Sequence, residues 1–239
     1  MTPRTPTPRA LDAPPAAPVT VTIPGGGVLM GSDEGRPDER PVHTVEVQPF
    51  RMAVTPVTVR LYAKLVAVGG AEPPPWWLDP DFDDPDQPVV GVTWFEAAAF
   101  AAWLAGTTGE AWRLPTEAEW ERAARGGIEG AATAWGPTLP AHEIPEGPLR
   151  GPWRVGRGTA NPYGLFDMGT IVHEWCLDVY RLYDPPPGSA DEERPERRAS
   201  RGGSWRHRQR WSSPAARSSL PPAFRYADYG FRLVVGPER

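Results

Sequence analysis

The chain has 239 residues, of which 40% are hydrophobic and 23% charged, and its formal net charge is −5. This length suffices to bury a substantial core, and the acidic balance gives no whole-molecule case for nucleic-acid binding. The single cysteine excludes an intramolecular disulfide or a multi-cysteine metal site, and no apolar run approaches the roughly 18 residues of a membrane span. We therefore expect a soluble, cytoplasmic protein with neither membrane nor nucleic-acid partners.

Proline, glycine and tryptophan are frequent, with 32, 25 and 11 copies. Proline and glycine without a strict period predict many turns, whereas tryptophan side chains need a packed interior or a binding surface. Residues 1–18 are Pro-rich and have no hydrophobic period, which predicts a flexible tail. Residues 19–239 are then expected to form a single domain.

The first ordered elements are predicted to be short strands. Val19–Ile23 has a strand pattern and precedes a glycine turn at Gly25–Gly27. Val28–Met30 and Thr44–Val47 are predicted to pair around a polar loop.

Two helices follow, each with a recognisable start and stop. The first is predicted from about Thr58 to Val68, because a Gly-Gly pair follows. The second has Thr93 as its N-cap, with a glutamate at the capping-box position, and its predicted body is Trp94–Ala105, ending near Gly106.

The third helix has the clearest signals. Thr116 is the predicted N-cap and Glu119 occupies the capping-box position. Arg122 and Arg125 fall in the last turn, where cations favour the helix dipole, and Gly126 follows them.

Beyond residue 130 the pattern predicts only short strands and loops, so the fold class is α+β, irregular and loop-rich. Two stretches lack any period. We interpret Pro73–Asp86 as a surface loop, with an anionic binding element as the alternative. We interpret Tyr183–Ser200 as a mobile excursion that leads into Arg201.

Several phrases occur in a fixed order from about residue 20 to residue 235. They include MGS at 30–32, ERPVH at 39–43, RLPTEAEWERAARGG at 113–127, NPYGLFDM at 161–168, RGGSW at 201–205 and GFR at 230–232. In this order they resemble the formylglycine-generating enzyme and sulfatase-modifying-factor family. The resemblance implies a variant of the C-type lectin fold.

The resemblance also raises two enzymatic activities. The formylglycine-generating members bind copper through two cysteines after RGGS, and soft thiolates suit that ion. This chain has no cysteine there, and Cys176 is interpreted as a buried small hydrophobe, so we expect no copper oxidase activity.

A second branch, in ergothioneine biosynthesis, uses iron held by three histidines. The four histidines of this chain, His43, His142, His173 and His207, have no close ligand spacing, which argues against that branch. A glycine-flanked nucleophile, a P-loop and a Rossmann glycine pattern are also absent from the sequence.

Calcium is the one cofactor that the resemblance suggests. Matched to the family's calcium phrase, Asp167 and Glu174 would supply side-chain oxygens, and Thr170 and Val172 backbone carbonyls. The chain departs from that phrase, with His173 in place of its first tryptophan. The alternative is that Glu174 braces this loop without metal.

The stretch between RGGSW and GFR, residues 206–229, resembles in its length and frame the variable region of proteins diversified by retroelements. This 206–229 segment holds five arginines and one aspartate, a local net charge of +4 within an acidic chain. Arginine, tryptophan and tyrosine are enriched at binding hot spots. The predicted ligand-binding residues are Arg206, His207, Arg208, Arg210, Trp211, Ser218, Leu220, Phe224, Tyr226, Asp228 and Tyr229. Arg217 and Arg225 are expected to hold the scaffold instead.

We therefore predict a ligand-binding protein that displays a variable surface, with a protein as its target. A catalytically active oxidoreductase of the family, or an enzyme of another reaction, is the alternative. A structural or regulatory module of a larger system is the third hypothesis.

Overall fold

The computed structural model describes residues 17–185, 196–207 and 212–236. The helices are α1 Val59–Ala67, α2 Trp94–Thr108 and α3 Glu117–Arg125, with a short 3-10 turn at Pro37–Glu39. The strands are β1 Thr20–Ile23, β2 Gly26–Met30, β3 His43–Val47, β4 Phe50–Ala53, β5 Trp112–Arg113, β6 His173–Val179, β7 Arg198–Arg201, β8 Arg217–Leu220, β9 Tyr229–Gly230 and β10 Val234–Val235. The fold is thus α+β, irregular and rich in loops.

The strands form three sheets. The order of the first is β1-β4-β10-β5, and β2 and β3 form an antiparallel pair in which Val28 faces Val45. The order of the third is β8-β7-β6-β9, where β6 pairs antiparallel with β7 and parallel with β9. This third sheet positions the candidate site, because it places the start of β6 beside Tyr229.

All three helices begin at the predicted threonines. Thr93 and Thr116 each form a complete capping box with the glutamate three residues on. The predicted end of α2 near Gly106 is wrong, because the helix continues to Thr108 and is capped by Gly109, whose φ of 74° is left-handed. The backbone N–H of Gly109 donates to the carbonyl of Ala105 at 2.8 Å, which continues the helical hydrogen-bond pattern to this end.

The prediction of a mobile excursion at Tyr183–Ser200 is wrong at its C-terminal end. Arg198–Ser200 belongs to β7 and is not part of an excursion, since Ser200 pairs with Trp175 on one side and Ser218 on the other. Residues 186–195 of that stretch, and residues 1–16 of the predicted tail, lie outside the described residues.

Two acidic groups of the loop at 73–86 pair with arginines. Asp84 contacts Arg154 at 2.7 Å and Asp86 contacts Arg60 at 2.9 Å. These pairings favour the loop interpretation over an anionic binding element. No helix in the described ranges has the length and apolar character needed to cross a membrane.

Candidate functional site

Buried ion pairs join the frame of the 206–229 segment to the rest of the fold. Arg201, in the first frame phrase, lies wholly buried against Glu121 of α3. Arg232, in the second, donates to both carboxylate oxygens of Glu174, at 2.6 and 2.9 Å. The two ends of the segment are therefore fixed in the core.

Two arginines inside the segment also serve the scaffold. Arg217 is buried and donates to both oxygens of Glu117 at 2.9 and 2.6 Å. Arg225 donates to both oxygens of Glu96 and to the carbonyl of Gly91 at 2.9 Å. Both contacts agree with the expectation that these residues hold the fold.

Several described residues of the segment line one cleft of about 390 Å³. Of the predicted ligand-binding residues, the cleft is lined by Arg206, His207, Ser218, Leu220, Tyr226, Asp228 and Tyr229. Arg36, His173, Gly202, Ala216 and Arg217 complete the lining. Strands β6, β8 and β9 and the turn after β7 thus supply its walls.

The cleft has an exposed rim and a buried floor. Arg206, His207 and Tyr226 are exposed, and so is Phe224, which is 51% exposed but does not line the cleft. Asp228 and Tyr229 are buried, so they are floor residues and are not displayed as the sequence pattern suggested. Arg208, Arg210 and Trp211 lie outside the described residues.

In the floor of the cleft, Tyr229 is held by packing of its ring and by a contact of its hydroxyl. Its ring packs against Trp175 and against His173, with centroids 5.1 and 4.8 Å apart. Its hydroxyl lies 3.0 Å from the Ser218 Oγ. Burial raises the pKa of this phenol, which therefore stays protonated at neutral pH.

Two histidines distant in sequence meet beside this floor. The His173 Nε2 lies 3.1 Å from the His207 Nδ1 and 4.0 Å from an Asp228 carboxylate oxygen. The Ser204 Oγ donates to Asp228 at 3.0 Å and is buried, which leaves it inaccessible as a nucleophile. Within the described ranges, His173, His207 and Asp228 are the one group of three or more histidine, cysteine or carboxylate side chains close enough to share a metal ion.

The state of His173 follows from its surroundings. Burial lowers the pKa of His173 to about 4, although the Asp228 carboxylate opposes this shift. The imidazole is therefore neutral at neutral pH. Its Nδ1 lies 2.7 Å from the carbonyl of Gly202, which can only accept a hydrogen bond, so the ring proton is on Nδ1.

The proposed calcium ligands do not suit that ion. Both Glu174 oxygens already accept hydrogen bonds from Arg232, and the Trp120 Nε1 donates to one of them at 2.7 Å. A calcium ion at this carboxylate would meet the buried guanidinium of Arg232. Asp167, whose pKa burial raises to about 6, accepts from the backbone N–H of Gly156. Glu174 therefore braces the frame, which is the alternative that the sequence left open.

The other two residues of that set are also enclosed. Thr170 and Val172 are fully buried. The lone cysteine, Cys176, is fully buried as well, and burial raises the pKa of its thiol. These groups belong to the core.

Sequence reasoning missed the meeting of His173 and His207, because 34 residues separate them and only the third sheet brings them together. One signal was present, since His173 replaces the first tryptophan of a family phrase. A larger cleft of about 830 Å³, lined by the loop at 31–36 and by the turn after α3, was not predicted. Three residues of its lining, Ser213, Ala215 and Ala216, belong to the 206–229 segment, and none is a predicted ligand-binding residue.

The family model "Sulfatase-modifying factor enzyme 1-like domain" matches residues 7–237. The chain is 30% identical to a "Formylglycine-generating enzyme" of Thermomonospora curvata over 290 residues, covering 91% of this chain and 93% of the relative. It is 32% identical to the "Serine/threonine-protein kinase pkn1" of Chlamydia caviae, covering 90% of this chain but only 38% of that protein's length. Among solved structures, "Treponema denticola variable protein 1" matches with a TM-score of 0.74 at 24% identity, covering 91% of this chain and 95% of the other.

Proposed function

The chain belongs to the sulfatase-modifying factor enzyme 1-like family, and we propose that within it this protein binds a ligand through the 206–229 segment and recognises a protein target. The observation that carries the proposal is that some residues of the segment hold the scaffold while others are exposed to solvent. Arg217 and Arg225 bind scaffold carboxylates, whereas Arg206 and Tyr226 stand exposed at a cleft. Such a division lets displayed residues change without loss of the fold.

The exposed set has the chemistry of a recognition surface. The guanidinium of Arg206 lies 5.0 Å from the Trp205 ring, and Phe224 and Tyr226 present aromatic area to solvent. Arginine and aromatic residues supply contact area together with hydrogen bonds, which suits protein targets. The segment's local positive charge favours an acidic face on the target.

We also propose that the segment is diversified by a retroelement and that the chain has no copper-dependent oxidase activity. A likeness of fold to a variable protein supports the first part. The second part is supported by the composition, because the single cysteine is Cys176 and it is fully buried. A pair of accessible thiolates for Cu(I) is therefore lacking.

Sequencing the DNA that flanks the gene tests the diversification. The expected result is a reverse-transcriptase gene and a near-copy of the 3′ coding region that differs from it at adenines. Flanks that carry neither would refute diversification while leaving the binding surface to be tested by itself.

A display library tests the surface. The library varies the exposed residues Arg206, Phe224 and Tyr226 and is panned against purified acidic proteins. We expect well-displayed, enriched binders. A matched control library varies three scaffold positions, Arg217, Arg225 and Ala227, and should lose display. Equal enrichment from both libraries would refute the surface assignment.

A further inference from the structure

The rim and the floor of the cleft together present donor atoms to which the binding proposal assigns no specific role. We propose that His173, His207 and Asp228 form a binding site for a divalent first-row transition-metal ion such as Zn²⁺ or Co²⁺. The potential ligand atoms all lie within 4.8 Å of one another. This inference goes beyond the proposed function and does not depend on it.

The donor set and its spacing suit such an ion. Two borderline imidazole nitrogens and one hard carboxylate oxygen form a mixed donor set that zinc and its neighbours accept, whereas calcium prefers oxygen alone. Ligands about 2.1 Å from a tetrahedral ion lie about 3.4 Å from each other. The observed separations of 3.1 Å between the histidine nitrogens and 4.0 Å from His173 to Asp228 bracket that value.

His173 is oriented in the way of a metal ligand. Its Nδ1–H donates to the carbonyl of Gly202 at 2.7 Å, which leaves the lone pair of Nε2 directed towards His207. Metal-bound histidines commonly donate their other ring N–H to a carbonyl or carboxylate, which fixes the ring. Gly202 is itself held, since its N–H donates to the carbonyl of Ala216 at 3.1 Å.

Asp228 has a comparable support. The Ser204 hydroxyl donates to its carboxylate at 3.0 Å, and the backbone N–H of His173 donates to the Asp228 carbonyl at 2.9 Å. The second bond fixes the positions of His173 and Asp228 relative to each other. A carboxylate ligand that is itself hydrogen-bonded is the usual arrangement around bound metals.

His207 leaves the site open on the cleft side. It is exposed and follows Ser204 in a turn, so small rotations of its ring can close the remaining distance to an ion. Catalytic and ligand-exchanging zinc sites keep a fourth position for water or a ligand. Arg36 and Arg206 line the same cleft, which favours an anion in that position.

Titration of the full-length apo protein with Co²⁺ tests the site. Calorimetry and the visible absorption of bound cobalt monitor the binding. We expect one ion per chain and a cobalt spectrum typical of mixed nitrogen and oxygen ligands. His207→Ala and Asp228→Asn should each weaken binding by about tenfold or more, since each removes one ligand. His207 is exposed, so its variant is expected to fold normally.

His142→Ala is the matched control, because His142 is an exposed histidine outside the cleft. It should leave cobalt affinity and spectrum unchanged. The site is refuted if the wild-type protein binds no Co²⁺, if both ligand variants keep the wild-type affinity, or if the control loses as much affinity as His207→Ala.

Discussion

At the scale of single residues, buried carboxylates determine how the frame of the cleft is held. Glu174 has no exposed surface, and it accepts hydrogen bonds from Arg232 and from the indole of Trp120. Removing one member of such a group leaves a buried charge without compensation, which costs far more than the net contribution of the intact pair. Glu174 is therefore a stability residue and not a ligand-binding one.

Glu174→Ala should lower the free energy of unfolding by about 3–5 kcal/mol, because it strands the Arg232 guanidinium in the core. Chemical denaturation measures the loss. The control is Asp86→Ala, which removes a carboxylate from an exposed pair with Arg60 and should cost about 0–1 kcal/mol. A Glu174 variant that is no less stable than the Asp86 variant would contradict this account of the frame.

At the scale of elements, those fixed by local signals could be predicted from the sequence, and those that depend on long-range contacts could not. The start of α3 was predictable, because Thr116 and Glu119 form their capping box within a few residues. The strand β7 was not, because Arg198–Ser200 gains its hydrogen bonds from Trp175 and Ser218, on strands distant in sequence. Propensity carries no information about such partners.

Two acidic side chains, Asp178 of β6 and Glu117 of α3, lie close together where these elements meet. Asp178 accepts a hydrogen bond from the backbone N–H of Glu117 at 2.8 Å. Burial, and then the Glu117 carboxylate, raise the pKa of Asp178 from 3.8 to about 6, while Arg201 opposes the shift. In the folded state this acid therefore holds its proton at pH values where the unfolded chain has released it.

The sign of the pH dependence follows from this shift. Between about pH 4 and the folded pKa of about 6, the native state binds more protons, so rising pH lowers the contribution of Asp178 to stability. Asp178→Asn keeps an acceptor for the Glu117 N–H and removes the charge. At neutral pH the variant should be more stable than the wild type by about 1–2 kcal/mol. This is less than the whole pKa shift corresponds to, because Asp178 is partly exposed to solvent.

Denaturation of both proteins at a series of pH values tests the prediction. The stability difference should grow from near zero below about pH 4 to its full value above about pH 7. A difference that does not change with pH would show that the substitution acts by packing and not by charge.

At the scale of the whole molecule, the cleft exists only after distant parts of the chain have assembled. The family phrases allowed the fold and the position of the segment to be predicted, since RGGSW and GFR mark its ends. The buried floor and the pairing of His173 with His207 could not be predicted, because β6, β8 and β9 come together only in the third sheet. Exposure within the segment is likewise a property of the assembled fold.

The division between exposed and scaffold residues determines how the segment tolerates substitution. Arg206, Phe224 and Tyr226 are exposed, and surface substitutions cost up to about 0.5 kcal/mol each. Replacing all three by Ala should therefore leave the melting temperature nearly unchanged. Arg217→Ala, one substitution in the same segment, should lower it strongly, because it leaves Glu117 buried without its bidentate partner. If the triple variant unfolds as readily as Arg217→Ala, then the exposed residues support the fold, and the 206–229 segment is not a surface that tolerates variation.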